Sequence, residues 1–354
     1  MEDLPVRNNF EVKSHVGLYH IIFDSNLINN NTIENLGSHF IIDKNVFNLL
    51  PEELINNLEK KEVVIIDAIE ETKSYQGIEP IITSLLTQNL KRDSVLVAIG
   101  GGITQDITCF IATTFMRGIK WTFVPTTVLA QADSCIGSKS SINFGQYKNL
   151  LGSFTPPNKI YICDQFLNSL AEKDIQSGIG EIIKLYIINE EIFDSKNITR
   201  DNINEHIYNV LMIKKYFIEE DEFDKDIRQI LNYGHCIGHG IESATDFGIP
   251  HGIAVAMGID AVNNFAFLNN LINEECYHQY RSIILSIYKE YKDIPISVDR
   301  VFKAMKKDKK NTGSKINLIL PVHNSIKKIG FENTESFWND LRNSLLQLPF
   351  TFQS

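Results

Sequence analysis

Residues 95–102 read Val-Leu-Val-Ala-Ile-Gly-Gly-Gly, a short apolar run that ends in consecutive glycines. Such a run predicts a buried β-strand, and the glycines predict a tight turn into a helix that begins near Thr104. A turn of this kind lets the backbone approach a phosphate at the start of a helix. The spacing differs from G-x-G-x-x-G, so the segment indicates a nucleotide phosphate site outside the ordinary Rossmann pattern, with a plain tight turn as the alternative.

Short apolar runs on both sides of this segment alternate with helical stretches. Apolar residues at helical spacing predict helices over Glu79–Lys91 and Thr104–Arg117. This alternation predicts a parallel sheet with helices on both faces. The predicted strands are Leu18–Phe23, Phe40–Ile42, Val63–Ile66, Val95–Ile99, Trp121–Val124 and Ile160–Ile162.

After Asp164 the pattern becomes mostly helical, with one late extended segment at Lys315–Leu320. The sequence therefore predicts an α/β nucleotide-binding domain with a parallel sheet, residues 1–165, followed by a mainly α-helical domain, residues 166–354. The helices predicted in the second domain are Ile175–Ile192, Ile203–Glu219, Asp226–Thr245, Gly252–Asn270 and Glu274–Tyr291.

Composition narrows the class of protein. The chain has 354 residues, 43% hydrophobic and 22% charged, which is typical of a soluble globular protein with room for two domains. A formal net charge of -10 argues against a nucleic-acid partner. No apolar run approaches about 20 residues, so no transmembrane helix is expected. The first residues lack the pattern of a signal peptide, and the five cysteines are scattered, so we expect a reduced, cytoplasmic protein.

Three segments together predict a metal site. Gly-Ile-Gly-Glu-Ile-Ile-Lys spans 178–184, Asn-Tyr-Gly-His-Cys-Ile-Gly-His spans 232–239, and Pro-His-Gly spans 250–252. One carboxylate with two or three imidazoles can hold a divalent cation such as Zn²⁺ or Co²⁺ and leave a position open for substrate. Any one of these histidines is more often an ordinary core or surface residue, but as a set they favour a metal. The candidate ligands are Glu181, His235, His239 and His251.

A group of basic and amide residues lies in similar motif-like surroundings. Arginine binds phosphate or carboxylate through a planar fork, and lysine binds as a point charge. The alternative is a set of solvated helix faces, the commonest location of such residues. The group comprises Arg117, Lys139, Lys148, Asn149, Lys184, Lys214, Arg228 and Asn232.

With these residues together, the chain resembles 3-dehydroquinate synthase and the wider family of sugar phosphate cyclases over nearly its whole length. The most specific phrases are Val-Pro-Thr-Thr-Val-Leu-Ala-Gln-Ala-Asp-Ser at 124–134 and Leu-Asn-Tyr-Gly-His-Cys-Ile-Gly-His at 231–239. The resemblance implies conversion of 3-deoxy-D-arabino-heptulosonate 7-phosphate to 3-dehydroquinate and phosphate. It implies transient NAD-dependent oxidation, phosphate elimination, re-reduction and intramolecular aldol closure, assisted by one divalent metal, Zn or Co.

The resemblance also implies residue roles. Glu181, His235 and His251 match the metal ligands, and His239 moves from candidate ligand to substrate contact. Arg117 matches an arginine that reaches the neighbouring subunit's site, which implies a homodimer. Substrate and phosphate contacts match Lys139, Asn149, Lys184, Lys214, Arg228, Asn232 and Lys309 (or Lys310). Cofactor contacts match Asp43, Glu70, Lys73, Gly101, Gly102, Asp106, Thr126, Thr127, Asp133, Lys139 and Lys148.

The sequence departs from the family at three positions. Gln105 and Ser138 stand where the family usually has glycine, and Ile253 stands where the synthases usually have glutamate. The first two are expected to reshape the cofactor pocket, and the third to remove a partner of the metal ligands. They keep open a relative acting on another sugar phosphate, such as sedoheptulose 7-phosphate. Two further alternatives are a metal-dependent alcohol dehydrogenase and a non-catalytic sugar phosphate sensor.

Overall fold

The computed structural model describes residues 8–29, 32–145, 147–191, 194–307, 315–323 and 325–353. Its strands are β1 Phe10–Ser14, β2 Gly17–Phe23, β3 His39–Asp43, β4 Glu62–Ile66, β5 Val95–Gly100, β6 Lys120–Pro125, β7 Lys139–Phe144, β8 Tyr147–Phe154, β9 Lys159–Ile162, β10 Ile296–Ser297, β11 Lys315–Val322, β12 Ser325–Glu332 and β13 Phe352–Gln353. Its α-helices are α1 Lys44–Phe47, α2 Glu52–Leu58, α3 Tyr75–Thr87, α4 Gly102–Thr114, α5 Glu172–Ile188, α6 Ile203–Glu220, α7 His235–Ala244, α8 His251–Leu268, α9 Glu274–Tyr288, α10 Val298–Lys307 and α11 Glu335–Leu346.

The chain divides into two compact units. The first contains Met1–Leu170 together with Lys214–Phe223, and the second contains Ala171–Ile213 and Asp224–Ser354. The first unit is built on a sheet, and the second is mainly helical, so the predicted fold class is confirmed. The second unit also carries an antiparallel hairpin, β11–β12, and the short parallel pair β10–β13. The sequence indicated β11 as an extended segment but gave no sign of its partner β12.

The first unit contains a seven-stranded sheet with the order β1-β2-β9-β6-β5-β3-β4. Only the β1–β2 pair is antiparallel, and the other neighbours are parallel. Every strand predicted from the first half of the sequence is present. Strand β5 is buried from Leu96 to Gly100, as expected for a parallel strand covered on both faces.

The direction of the chain along the sheet reverses between β3 and β5. From β3 the chain moves outward to β4, then crosses back to β5 on the other side of β3 and continues to β6. The connections that follow β3 and β5 therefore leave in opposite directions along the sheet. Open α/β sheets bind ligands outside the carboxyl ends of strands at such a point.

The predicted helix Asp226–Thr245 is wrong as a single element. A 3₁₀ segment covers Ile227–Asn232, and α7 begins only at His235. Gly234 separates the two with φ +75°, a left-handed conformation that residues with a Cβ adopt at a cost. A Cβ there would also lie 2.6 Å from Ile259 Cγ1. The break places His235 in the first turn of a helix.

Among the described residues, no helix combines the length and the apolar composition that a membrane crossing requires.

Candidate functional site

Three helices of the second unit bring the predicted metal residues together. Glu181 lies in α5 and is fully buried, while His235 and His239 lie one turn apart in α7. His251 is the first residue of α8. One ligand atom from each histidine lies within 4.8 Å of the others. Glu181 Oε1 is 3.4 Å from His251 Nε2 and 3.8 Å from His235 Nε2.

Glycines set the distance between α5 and α8. A Cβ on Gly180 would lie 2.2 Å from the carbonyl oxygen of Gly252, and one on Gly252 would lie 1.8 Å from the carbonyl oxygen of Ser177. The backbones therefore touch where each helix carries a candidate ligand one residue away. The amide of Gly252 also donates to Ser177 Oγ at 3.0 Å. This contact fixes His251 against Glu181.

In His251 and in His235, the ring nitrogen that faces away from Glu181 contacts an oxygen atom of another residue. His251 Nδ1 lies 3.1 Å from Glu242 Oε2, and His235 Nδ1 lies 3.2 Å from the carbonyl oxygen of Tyr233. Carboxylate and carbonyl partners of this kind orient metal-ligating imidazoles. The sequence analysis did not single out Glu242. Its position seven residues after His235, on the same helical face, was the available signal.

The structure shows the surroundings of Ile253 and of the neighbouring ligand candidate His251. Glu242 Oε2, 3.1 Å from His251 Nδ1, supplies a carboxylate partner to this candidate ligand. Ile253 itself is fully buried among apolar residues of α8. The isoleucine thus contributes to the core of the second unit.

Neighbouring charges shift the pKa values of two candidate ligands, Glu181 and His251. Burial by itself would raise the pKa of Glu181, but the positive charges of Lys184 and His251 hold that pKa well below its ordinary value. Lys184 is buried and donates to Glu181 Oε2. Burial would lower the pKa of His251, but the neighbouring carboxylates of Glu181 and Glu242 raise the pKa to about 10.

The residues fit a divalent cation. Glu181 Oε1 is buried and accepts no satisfactory hydrogen bond from any group in the described ranges. A buried anionic oxygen without a hydrogen-bond donor is costly unless a cation compensates it. This oxygen faces two imidazoles whose other nitrogens are already oriented. An oxygen and two or three nitrogen ligands suit Zn²⁺ or Co²⁺.

Replacing Glu242 with alanine should weaken Zn²⁺ binding by about 10–100-fold, because His251 loses the group that orients its ring. The measurement is the Zn²⁺ dissociation constant, obtained by competition with a chelator. Glu274→Ala is the control, since Glu274 is exposed and pairs with His278 on α9. Equal affinity in the Glu242→Ala and control proteins would contradict this role.

In the first unit, the predicted nucleotide residues gather at the carboxyl edge of the sheet. Asp43 ends β3, Gly101 and Gly102 follow β5, and Thr126 and Thr127 follow β6. Thr126 N donates to the carbonyl oxygen of Gly100 at 3.0 Å, and a Cβ on Gly101 would lie 3.3 Å from Thr127 Cγ2. These strands are neighbours at the reversal of strand order, so the edge has the topology of a nucleotide site.

A second group of predicted cofactor residues forms one charged network. Lys73 Nζ lies 2.5 Å from Asp106 Oδ2, and Lys148 Nζ lies 3.4 Å from Glu70 Oε2. Asn143, which the sequence analysis missed, donates to Glu70 Oε2 at 2.8 Å. Burial is the largest influence on Asp106 and raises its pKa, although Lys73 opposes the shift. The predicted residues therefore bind one another in this unit.

Asn143 also connects this network to Asn149. The side-chain oxygen of Asn143 accepts a hydrogen bond from Asn149 N at 2.9 Å, and Asn149 has φ +50°. Lys139 is exposed at the start of β7. Arg117 is exposed with φ +69° at the end of the turn that follows α4.

Lys214, a predicted substrate residue in the first unit, forms a salt bridge with Asp133. Its Nζ donates to Asp133 Oδ1 at 2.9 Å, and both residues were predicted to belong to the site. In the second unit, Arg228 is buried in the 3₁₀ segment before α7, and Asn232 ends that segment. Asn232 Nδ2 donates to the carbonyl oxygen of Gln229 at 3.0 Å. Lys309 and Lys310 lie outside the described residues.

Gln105, the departure beside the glycine turn, has a structural explanation. Its Nε2 donates to the carbonyl oxygen of Ser134 at 2.7 Å, and its Oε1 accepts from Ser134 Oγ at 2.7 Å. The side chain is 5% exposed and joins α4 to the turn at Ala130–Ser134. Its polar atoms are therefore used within the fold.

Comparison with known proteins identifies the family of this chain. Residues 63–177 match the family model for the 3-dehydroquinate synthase N-terminal region, and residues 178–311 match that for the C-terminal region. The 3-dehydroquinate synthase of Ruminiclostridium cellulolyticum is 34% identical over 294 residues, covering 79% of this chain and 82% of the relative. That of Pelagibacter ubique is 32% identical over 349 residues, covering 90% and 92%.

The fold has a close counterpart among solved structures. The crystal structure of 2-deoxy-scyllo-inosose synthase complexed with carbaglucose-6-phosphate, NAD⁺ and Co²⁺ has a TM-score of 0.80 and 21% identity, covering 95% of this chain and 100% of that one. The structural likeness supports the fold, and the two curated relatives match this chain over most of their own length. The chain belongs to the 3-dehydroquinate synthase family.

Proposed function

We propose that this protein converts 3-deoxy-D-arabino-heptulosonate 7-phosphate to 3-dehydroquinate and phosphate. The reaction begins and ends at the same redox level and eliminates phosphate in between. The observation that carries the proposal is the buried oxygen of Glu181, which faces His235 and His251 within a chain of this family. In this family the metal ligands occur together with a nucleotide-binding sheet edge. The metal is therefore assigned to redox-assisted elimination and not to hydrolysis.

The metal ligands are Glu181, His235 and His251. When bound, the divalent metal supplies an electrophile for a hydroxyl or carbonyl oxygen, and NAD supplies a reversible hydride acceptor. Glu242 and the Tyr233 carbonyl orient the two histidines, and Lys184 neutralises the second oxygen of Glu181. His239 is exposed beside the other two imidazoles and is assigned to substrate and phosphate.

The cofactor is assigned to the sheet edge of the first unit. The backbone at Gly101 and Gly102, where α4 begins, offers amides to the pyrophosphate. Asp43, at the end of β3, is assigned to the hydroxyl groups of a ribose. The charged network around Lys73 and Asp106 fixes the hairpin β7–β8, since Asp106 Oδ1 accepts from Ser141 N at 3.0 Å. The remaining cofactor contacts are assigned as the sequence predicts.

The substrate carries both a phosphate and a carboxylate, and the chain offers cations for both. Lys139 and Asn149 on the β7–β8 hairpin are assigned to the substrate and its phosphate. Lys214 and Arg228 are assigned near the carboxylate, with Asn232 as a further substrate contact. A leaving phosphate is stabilised by preformed donors of this type.

Changing Arg228 to alanine should lower kcat/KM for the carboxylate-bearing substrate by roughly 10- to 150-fold. The range corresponds to the about 1.5–3 kcal/mol that a hydrogen bond to a charged group contributes. The affinity for NAD⁺ should change far less. Steady-state kinetics and NAD⁺ titration measure the two effects. Arg300→Ala is the control, because Arg300 is an exposed arginine of the same unit that binds Asp246. An equal loss with a substrate that lacks the carboxylate would remove the reason for this assignment.

The substrate assignment is tested directly by measuring phosphate release. The purified protein, supplied with NAD⁺ and Zn²⁺ or Co²⁺, is incubated separately with 3-deoxy-D-arabino-heptulosonate 7-phosphate and with sedoheptulose 7-phosphate. Release from the first substrate supports the proposal. Release from sedoheptulose 7-phosphate alone would contradict it and favour the other branch of the family.

We also propose a homodimer in which Arg117 acts in the neighbouring subunit's site. Its exposed position after α4 leaves the guanidinium accessible to a second copy. A sedimentation experiment that shows only monomers at assay concentration would contradict this. We further propose a functional division at residues 1–165 and 166–354, and a cytoplasmic location without nucleic-acid or membrane partners.

A further inference from the structure

The segment between Ala130 and Lys139 carries two assigned contacts, Asp133 and Lys139, and it is bound at two points, by α6 and by a residue just after α6. Lys214, near the middle of α6, donates to Asp133 Oδ1 at 2.9 Å. Glu222, just after α6, accepts from Ser138 Oγ at 2.7 Å. Lys214–Phe223 belong to the first unit, so both contacts lie within it.

Ser138 holds an unusual backbone conformation for a residue with a side chain. Its φ is +64°, in the left-handed region, where a residue with a Cβ loses about 1–2 kcal/mol relative to the right-handed conformation. Its carbonyl oxygen accepts from Thr155 N at 2.7 Å, and the next residue, Lys139, begins β7. The conformation of Ser138 therefore determines the direction in which Lys139 leaves the turn.

Glu222 is itself held in place. Its Oε2 accepts from His15 N at 2.6 Å, and its Oε1 lies 3.1 Å from His15 Nδ1. The side chain is only 9% exposed, and Ser138 is 6% exposed. A fixed carboxylate that accepts from a hydroxyl makes a short, charge-assisted hydrogen bond, stronger than a neutral one.

We propose that Ser138 and Glu222 form a positioning pair that holds the turn before Lys139 in its left-handed conformation. The pair does not contact a ligand, and it acts by keeping Lys139 in the orientation that binds the cofactor and the phosphate-bearing substrate. The proposal rests on the assignment of Lys139 made above. It explains how this chain accommodates serine where the family usually has glycine, a residue that needs no such support.

The Ser138→Ala and Ser138→Gly proteins separate this role from ordinary packing. Both lose the hydroxyl, but only alanine keeps the strain of a Cβ at positive φ. In Ser138→Ala the turn should leave the binding conformation most of the time, and apparent affinity falls with the competent fraction. We expect KM for 3-deoxy-D-arabino-heptulosonate 7-phosphate and the dissociation constant of NAD⁺ to rise about tenfold, with kcat within about twofold. Ser138→Gly should keep both constants near those of the wild type.

Rescue by glycine provides the second test. Glu222→Ala should match Ser138→Ala, and the double variant Ser138→Gly/Glu222→Ala should recover most of the lost affinity. Glu219→Ala is the matched control, because Glu219 lies in α6 three residues before Glu222 and accepts from Lys13 N at 2.8 Å, whereas Ser138 Oγ donates to Glu222. Melting temperatures establish that each variant is folded. A double variant as impaired as Glu222→Ala, or a Ser138→Ala protein with unchanged constants, would overturn the proposal.

Separate measurements of NAD⁺ binding and of phosphate release distinguish the failure of this proposal from the failure of the proposed function. A wild-type protein that binds NAD⁺ but releases no phosphate would contradict the proposed function, while the NAD⁺ dissociation constants of the variants would still decide the positioning role. A wild-type protein that binds no NAD⁺ would overturn both.

Discussion

The His235→Ala protein is expected to lose Zn²⁺ binding and phosphate release together. His235 supplies one of two imidazoles that face the buried oxygen of Glu181, at 3.8 Å. Removing it leaves a buried carboxylate with one fewer partner and a cation with an incomplete set of ligands. The loss of affinity should exceed the about 10–100-fold expected when a supporting partner such as Glu242 is removed.

Metal content after dialysis and the rate of phosphate release are the two measurements. His278→Ala is the matched control, since its imidazole is exposed in α9 and pairs with Glu274. The control should retain both properties. A His235→Ala protein that keeps stoichiometric Zn²⁺ would remove His235 from the metal site, and normal turnover without metal would exclude a role for the cation.

The second large effect is expected from Gly252→Ala. Alanine favours a helix over glycine by up to about 1 kcal/mol, but its Cβ would lie 1.8 Å from the carbonyl oxygen of Ser177. The clash must separate α5 from α8, and overpacking of this kind costs about 1–3 kcal/mol or more. The net result should be a less stable protein, and Zn²⁺ affinity should fall because His251 moves away from Glu181.

Denaturant unfolding of the metal-free protein and chelator competition measure the two consequences separately. Gly330→Ala is the control in the same unit, because its Cβ would meet only side-chain atoms, at 3.3 Å or more. Its stability and metal affinity should change little. A Gly252→Ala protein that is as stable as the wild type and binds Zn²⁺ normally would show that the close contact of the helices is not needed.

The local pattern of apolar and turn residues was sufficient to predict much of the fold. The apolar runs predict the parallel strands because those strands are buried on both faces and bounded by turn residues. The single helix predicted over Asp226–Thr245 is wrong because apolar spacing does not report φ at Gly234, which depends on the packing of Gly258 and Ile259 against it. The order of the strands depends on nonlocal pairing, and residue spacing alone does not specify it.

The candidate site was also predicted only in part from the sequence. The motifs predicted which imidazoles and carboxylate gather, because α7 presents His235 and His239 one turn apart. They did not predict Glu242 as the partner of His251, since that contact joins two helices. They also did not predict that Gln105 and Ser138 use their polar atoms within the fold, bound to Ser134 and Glu222. Those partners are remote in sequence, so only the folded chain identifies them.

We expect this chain to eliminate phosphate from a sugar phosphate without net oxidation. The most direct test follows phosphate and reduced cofactor in one reaction containing 3-deoxy-D-arabino-heptulosonate 7-phosphate, Zn²⁺ and NAD⁺ at a concentration far below that of the substrate. We predict phosphate in large excess over NAD⁺ and no accumulation of NADH. Accumulation of NADH without phosphate would contradict the account and indicate a dehydrogenase. A protein that takes up no Zn²⁺ in this reaction and turns over neither sugar phosphate would also contradict it and indicate a non-catalytic member of the family.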